Sequence, residues 1–372
     1  MIALPPGVQG KGTFRRGVHP PEHKALAADR AIEVPPTPSS LSVPVLQNVG
    51  APIEPLVKPK QEVAVNEKIG EATAFISAPA HSPVNGTVGR ESVVTLPNGR
   101  HVRTLPITPG DENLQGRDLW DDIYGGNWTT AGLDRYEPSE IADKVKEAGI
   151  VGQGGAAFPT YVKLLRNEQK PVDTVLVNGC ECEPYLTSDH RVMVEAAGAV
   201  VTGALLAARA AGAERTIVAI EDNKPDAVEA MRRAAEGVPV QVAVLETKYP
   251  MGGEKQTVRA VLGRTIPTGG LPLDVGVVVI NVGTASAIAR AVLRGKPLTH
   301  RVVSVTGAGI RRPGNLLVPI GAPIAGLIEA CEGLTENAAR VLAGGPMMGF
   351  ALSRLDVPVT KGTSGIVALT EE

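Results

Sequence analysis

Apolar and polar positions along this chain fall into three successive patterns. From residue 1 to about 115, short apolar runs alternate with turns, as in 80–88 (AHSPVNGTV) and 93–105 (VVTLPNGRHVRTL). Almost no helical period is visible there. Asn85-Gly86 and Asn98-Gly99 predict β-hairpins, because a type I′ turn needs positive φ at both central residues. Residues 1–115 therefore read as a small all-β barrel or sandwich.

From about 136 to 300 the period alternates between helical and extended. Ser139 is positioned to cap a helix with Ile141, Val145 and Ala148 on its apolar face and Gly149 as its stop. Strands are predicted at 174–177, 216–220, 240–245 and 275–282, with helices at 195–211, 225–235, 254–262 and 285–293. Such alternation predicts an α/β domain with a largely parallel sheet. Residues 301–350 read as strand 302–306, strand 316–319, helix 322–332 and strand 339–342, a small β-grasp-like unit. The stretch 358–369 shows no core of its own, so 351–372 reads as a tail. No internal repeat or low-complexity linker is visible, and the Pro/Ser/Thr stretch 35–40 reads as an ordered loop.

Composition narrows the function. With 372 residues the chain is long enough for two or three domains. A net charge of −2 argues against a polyanion binder, and 3% aromatic content argues against a stacking surface for single-stranded nucleic acid. Nucleic acid is not an expected partner. The three cysteines, Cys180, Cys182 and Cys331, do not make a disulfide framework and fit a reducing compartment. No apolar run reaches the ~18–20 residues of a membrane helix. The N-terminus lacks an apolar signal core. The expectation is a soluble cytoplasmic chain able to dock on a membrane complex.

Four polar, Gly-containing turns carry the chemistry. The first is Gly152-Gln153-Gly154-Gly155-Ala156-Ala157-Phe158-Pro159-Thr160, followed by Lys163. Glycines let backbone N–H groups approach phosphate, a helix start adds a favourable dipole, and Lys163 adds a positive charge. The bland alternative is a tight turn. A dinucleotide fingerprint fits poorly, because this loop follows a helix rather than a strand. The second is Asn178-Gly179-Cys180-Glu181-Cys182-Glu183-Pro184, just past the 174–177 strand, where ligands of α/β sheets sit. Its two acids and amide suit ribityl or ribose hydroxyls and ring N–H groups. Its alternative is a polar turn with Asp189 and Arg191 in surface pairs. Cys180-x-Cys182 lacks the second Cys/His pair a metal site needs. The third is Tyr249-Pro250-Met251-Gly252-Gly253-Glu254-Lys255, and the fourth Asn281-Val282-Gly283-Thr284, whose Asn and Thr also suit plain helix caps. A parallel sheet would bring all four to one rim.

These motifs (GQGGAAFPTYVK, NGCECEPYLTSDHRVM, YPMGGEKQ and PTGGLPLDVGVVVINVGTA) resemble the C subunit of the Rnf electron transport complex (RnfC, also RsxC). They resemble more distantly the FMN- and NADH-binding subunit of respiratory complex I. The early GTFRRGVHPPEHK and AHSPVNGTV are similar to the same Rnf subunit, so the likeness spans nearly the whole chain. It implies that Gly152, Gly154, Gly155 and Lys163 cradle FMN. Asn178, Glu181, Asn281 and Thr284 would complete the shell, with Tyr249, Gly253 and Glu254 beside it. Phe158 would lie against the NAD(H) nucleotide and Glu183 near its ribose and nicotinamide, making Glu183 and Glu254 the candidates closest to the chemistry. The likeness also implies an unmodified barrel-sandwich domain of the biotinyl/lipoyl type over 1–115, since Ala78-Pro79-Ala80-His81-Ser82 offers no lysine. It further implies the FMN/NADH α/β domain over 136–300 and a soluble-ligand-binding β-grasp (SLBB-like) domain over 301–350.

The activity implied is electron transfer between NADH and ferredoxin coupled to ion translocation, with other Rnf subunits as partners and ferredoxin reached indirectly. The location implied is peripheral, on the cytoplasmic side of the inner membrane. Two departures stand out: Lys255 replaces a second acid of the complex I pattern, and Gln153 replaces an arginine. The family continues into a segment with two Cys-x-x-Cys-x-x-Cys-x-x-x-Cys-Pro runs for [4Fe–4S] clusters. This sequence ends just before such a segment would begin, and its three cysteines supply no cluster ligands. The rival readings are a non-catalytic docking scaffold and a flavin-dependent corrinoid reductase, against which the N-terminal barrel argues.

Overall fold

Four aliphatic runs rich in Val and Ile build the central sheet. In the computed structural model, which describes residues 4–371, they are Thr174–Gly179, Arg215–Glu221, Val240–Leu245 and Val277–Asn281. All pair in parallel, in the spatial order third, second, first, fourth. Helices Ala197–Ala211 and Val282–Arg294 cover one face, while Glu254–Leu262 with Val8 and Phe14 covers the other. Burial on both faces is why these strands are continuously apolar rather than alternating. The strand order creates a topological switch between Thr174–Gly179 and Val277–Asn281. Chains leaving their carboxyl ends diverge there and open a crevice.

The covering helices meet at a glycine. A Cβ on Gly203 would lie 1.7 Å from the Ala285 carbonyl oxygen, so only glycine permits this crossing. The helix expected over 195–211 is Ala197–Ala211; ahead of it lies an unexpected helix, Ser188–Glu195, at 95° to it. No Gly or Pro marks the break at Ala196. The first helix ends where the Glu195 carboxylate accepts the Ile32 N–H and pairs with Arg191, which anchors it to the N-terminal segment. Among the described residues no single helix is long and apolar enough to cross a membrane. The helix predicted from Ser139 is Pro138–Glu147, with proline in its first turn rather than a serine cap. Gly149, at φ 63°, follows it as expected.

The N-terminal strands form two sheets. One contains Leu41–Pro44, His101–Pro109, Gly86–Val88 and Glu62–Val63, with Ser92–Thr95 also on His101–Pro109; the other contains Glu54–Pro55, Lys68–Glu71 and Ala80–His81. Asn98-Gly99 does join two paired strands. Only Gly99 has positive φ, and its N–H bonds Leu96 across a three-residue loop, so the turn is not the type I′ expected. Asn85-Gly86 makes no hairpin. The strands on either side of it belong to different sheets, and the Asn85 side chain instead ties down Val65 N and Glu112 O.

In the third unit, His300–Thr306, Gly314–Pro319, helix Ile324–Ala330 and Ala338–Ala343 lie close to expectation. The presumed tail departs from it. Gly365–Thr370 is a strand between His300–Thr306 and Ala338–Ala343, with Ile366, Val367 and Ala368 fully buried. Its core residues pack into one cluster with the barrel, where Leu41, Ile69 and Ile107 meet Val303, Leu316 and Ile366. A buried ammonium pins the junction: Lys361 donates to Pro79 O and Gly149 O, and burial pulls it down to about 7. The Ala78–Ser82 stretch is itself buried at this junction.

Candidate functional site

The glycine-rich loop stands over the switch point. Its ends are closed by Gly152 N–H to Phe158 O (2.8 Å) and Thr160 N–H to Ile150 O (3.0 Å), so the tip is held as a tight excursion. Gly154, Gly155 and Ala156 are exposed at that tip. Gly155 has φ +114°, and a Cβ built there meets nothing within 4 Å. A Cβ on Gly154 would sit 3.5 Å from Asn281 at the carboxyl end of the Val277–Asn281 strand. The loop thus offers bare backbone to open space directly beside a strand end and a helix start, a fitting arrangement for a phosphate-bearing ligand.

Thr284, expected in the ligand shell, and Gln153, a departure from the complex I pattern, both hold the loop. The Thr284 hydroxyl is buried and accepts the Gln153 N–H at 2.9 Å. The Gln153 side chain is also buried and donates to Gly283 O, while the buried Arg301 donates to Gln153 O. The departure at 153 is therefore a structural tie rather than a surface facing nucleotide. Burial lowers the Arg301 guanidinium to about 10.

Beneath the loop runs a chain of polar contacts. Asn281 Oδ1 accepts Gly283 N–H and Thr284 N–H, capping Val282–Arg294, and its Nδ2 donates to Asp189 Oδ2 at 2.6 Å. The Glu181 carboxylate accepts Asp189 N–H (2.8 Å) and His190 N–H (3.1 Å), capping Ser188–Glu195. Burial and then the Glu181 charge hold the Asp189 carboxyl well above the usual carboxylate range. Asp189 is thus part of the site and not a surface partner of Arg191, which pairs with Glu195 and bonds Ala28 O. Asn178 bridges the other way, donating to Gly252 O at 2.7 Å.

Glu183 points under a loop of the third unit. Its Oε2 accepts Met347 N–H at 3.0 Å, while its buried Oε1 has no partner among the described residues. A Cβ on Gly345 would lie 2.2 Å from Oε2, so Gly344–Gly349 closes over this carboxylate. Burial raises the Glu183 carboxyl, and the Met347 and Met348 N–H groups work against that rise. A buried carboxylate oxygen without a partner, on a half-buried residue, is a group awaiting a donor. No sequence pattern signalled that loop, because GGPM reads as an ordinary turn.

Glu254 and Lys163 meet as a pair. Lys163 Nζ lies 2.6 Å from Glu254 Oε1 and donates to Val279 O, and both side chains are partly open to solvent. Glu254 begins helix Glu254–Leu262, with Gly253 as its N-cap residue. Lys255 is exposed and reaches Pro267 O. Tyr249 precedes a cis proline and pairs through its backbone with Val18. Phe158 is half-buried at the loop's end.

The cysteines are not poised for chemistry. Burial pushes the Cys180 thiol well up and the Cys182 thiol to about 11, with Glu221 adding to both. Among the described residues no group of three or more His, Cys, Asp or Glu side chains is placed to hold a metal.

The sequence pattern of the Nuo51 FMN-binding domain matches residues 145–290, that of the RnfC barrel sandwich hybrid domain residues 12–112, and that of the SLBB domain residues 302–351. The chain is 43% identical to the C subunit of a proton-translocating ferredoxin:NAD(+) oxidoreductase complex of Clostridium ljungdahlii, over 96% of this chain and 77% of that one. It is 40% identical to the C subunit of the Na(+)-translocating complex of Acetobacterium woodii, over 97% and 80%. It is 43% identical to the C subunit of the ion-translocating oxidoreductase complex of Rhodobacter capsulatus, over 96% and 68%. An NAD+-reducing [NiFe]-hydrogenase shares the fold over 67% of this chain and 50% of its own, at TM-score 0.56 and 23% identity. With all three domains matched in order, the chain belongs to the RnfC family, the C subunits of ion-translocating oxidoreductase complexes.

Proposed function

We propose that this chain is the FMN- and NAD(H)-binding subunit of an Rnf-type complex, exchanging electrons between NADH and ferredoxin on the cytoplasmic face of a membrane. The observation that carries the reading is the bare Gly154-Gly155-Ala156 tip over the switch point of a parallel sheet. The relatives named above, for proton- and sodium-translocating complexes, support it. Bound there, FMN supplies conversion between two-electron and one-electron transfer.

The residues divide the remaining work. Gly152, Gly154 and Gly155 give a phosphate access to backbone N–H groups, and Lys163 offsets its charge while being held by Glu254. Thr284, Gln153 and Asn281 fix the loop against the helix start. Asn178, Glu181 and Asp189 fix the neighbouring strand end. Phe158, Tyr249 and Glu183 line the approach for NAD(H), where the unpartnered Glu183 oxygen accepts a ribose hydroxyl or amide N–H. Attachment to the membrane is through partner subunits. Fluorescence of flavin released from protein incubated with FMN and desalted tests the reading: stoichiometric flavin supports it, and none refutes it.

A further inference from the structure

We propose that Lys24 is a positioning residue of the nucleotide site, its ammonium caged by carbonyls of the 181–186 loop and so fixing where that loop presents Glu183. This rests on the FMN/NAD(H) reading of the site. Lys24 comes from the N-terminal segment, far from the loop in sequence. It begins the short helix Lys24–Leu26 after His23, whose φ of 50° turns the chain inward. The side chain is buried and donates to Glu181 O (2.8 Å), Glu183 O (2.9 Å) and Leu186 O (2.6 Å). An ammonium has three protons, and these three carbonyls take them all.

The loop needs such a hold. Glu181 (φ 47°) and Tyr185 (φ 70°) both sit in the left-handed region without being glycine. Each such residue is strained and persists only when its surroundings over-determine it. The same segment supplies two further ties: Tyr185 N–H donates to Glu22 O (2.8 Å), and the His23 ring stacks on Tyr185 at 4.7 Å. Earlier in the segment, Val18 pairs with Tyr249, so one strap contacts both loops that line the NAD(H) approach. Lys24 also sits among charges, facing Lys224, Glu181, Glu221 and Cys182, with Glu183 and Asp189 close enough to feel it. Burial, then Lys224, brings its ammonium down to about 8. A cavity of about 30 Å³, lined by His19, Glu22, Lys24, Cys182 and Glu221, adjoins it.

The test uses the full chain loaded with FMN. Lys24→Met keeps the aliphatic stem and removes the charge; Lys24→Ala opens a space continuous with the cavity. In Lys24→Met, KM for NADH with ferricyanide as acceptor rises about tenfold, the worth of one charge-assisted hydrogen bond, while FMN affinity is unchanged. Hydrogen exchange at the 181–186 amides speeds up in the ligand-free variant. In Lys24→Ala, propylammonium restores KM and amide protection, and propanol does not. Wild-type exchange rates and KM in Lys24→Met overturn the proposal. So does a loss in Lys24→Ala that propylammonium leaves unrepaired, which marks Lys24 as a fold staple only. A wild-type protein that binds neither FMN nor NADH instead refutes the reading of the site, and the exchange measurement still decides whether Lys24 holds the loop.

Discussion

Gly154→Val adds an isopropyl group at the tip of the glycine-rich loop, and the structure separates its effect on folding from its effect on ligand. A Cβ there meets Asn281 at 3.5 Å, an ordinary van der Waals contact, and φ of Gly154 is not positive. The residue is exposed, so stability should stay within about 0.5 kcal/mol of wild type. The ligand is affected more. Charge-assisted N–H···O contacts need about 2.7–2.9 Å, whereas carbon atoms keep non-bonded neighbours at about 3.5–4.0 Å. Two such bonds lost, at about 1.5–3 kcal/mol each, weaken FMN binding at least a hundredfold. Gly155→Ala is the informative contrast. Its Cβ meets nothing, but φ +114° imposes a strain of about 1–3 kcal/mol, so that variant should lose melting temperature as well. Thermal melts of the apo proteins and fluorescence titration with FMN read both effects. A folded Gly154→Val protein with wild-type FMN affinity would refute the assignment of this loop.

Glu183→Gln should keep its flavin, because Met347 N–H still finds an acceptor, yet be reduced by NADH at least about tenfold more slowly; equal rates would remove Glu183 from the nucleotide site. Gly345→Ala, a change outside the segment that bears Glu183, should act in the same direction, since its Cβ would displace the carboxylate, and an unchanged rate would mean that the 344–349 cover is incidental. His81 is buried and ionises at about 3 in the folded chain against 6.5 unfolded. The unfolded state takes the proton first, so His81's contribution is full above pH 6.5 and falls by up to about 1.4 kcal/mol per pH unit toward 3. The stability of His81→Gln should therefore depend less steeply on pH between 6.5 and 4.5 than that of wild type; parallel curves would contradict this. Anaerobic reconstitution with iron and sulfide should leave the chain without clusters, because a cubane needs four thiolates, and burial pushes up the thiols of buried Cys180 and half-buried Cys182; about four irons per chain with cubane absorbance would overturn that.

The parallel sheet was legible because strands buried on both faces are continuous aliphatic runs, as at Thr174–Gly179 and Val277–Asn281. Three features were not. Helix Ser188–Glu195 falls where the sequence shows a polar turn, and its end is tied through Glu195 to Ile32, a contact distant in sequence. Gly365–Thr370 is specified by strands on either side of it, which no local period announces. Asn85-Gly86 looks like a hairpin because turn chemistry is local, while sheet membership is not. At the site, the glycine loop and the strand-end acids were visible as residue types, but the use of each side chain was not. Glu181 and Asn281 spend their oxygens on helix caps, and Thr284 holds Gln153. Lys24, Asp189 and Arg301 gave no signal as single residues. Their meaning lies in partners more than a hundred positions away, or, for Asp189, in a turn that also reads as plain surface.

The central claim is that one pocket brings FMN and NAD(H) together, and an anaerobic titration of the FMN-loaded protein with NADH tests it most directly. The account predicts that the visible flavin absorbance bleaches with one NADH consumed per flavin, and that Glu183→Gln slows this without releasing flavin. A tightly bound flavin that NADH leaves oxidised, while dithionite still reduces it, would contradict the account.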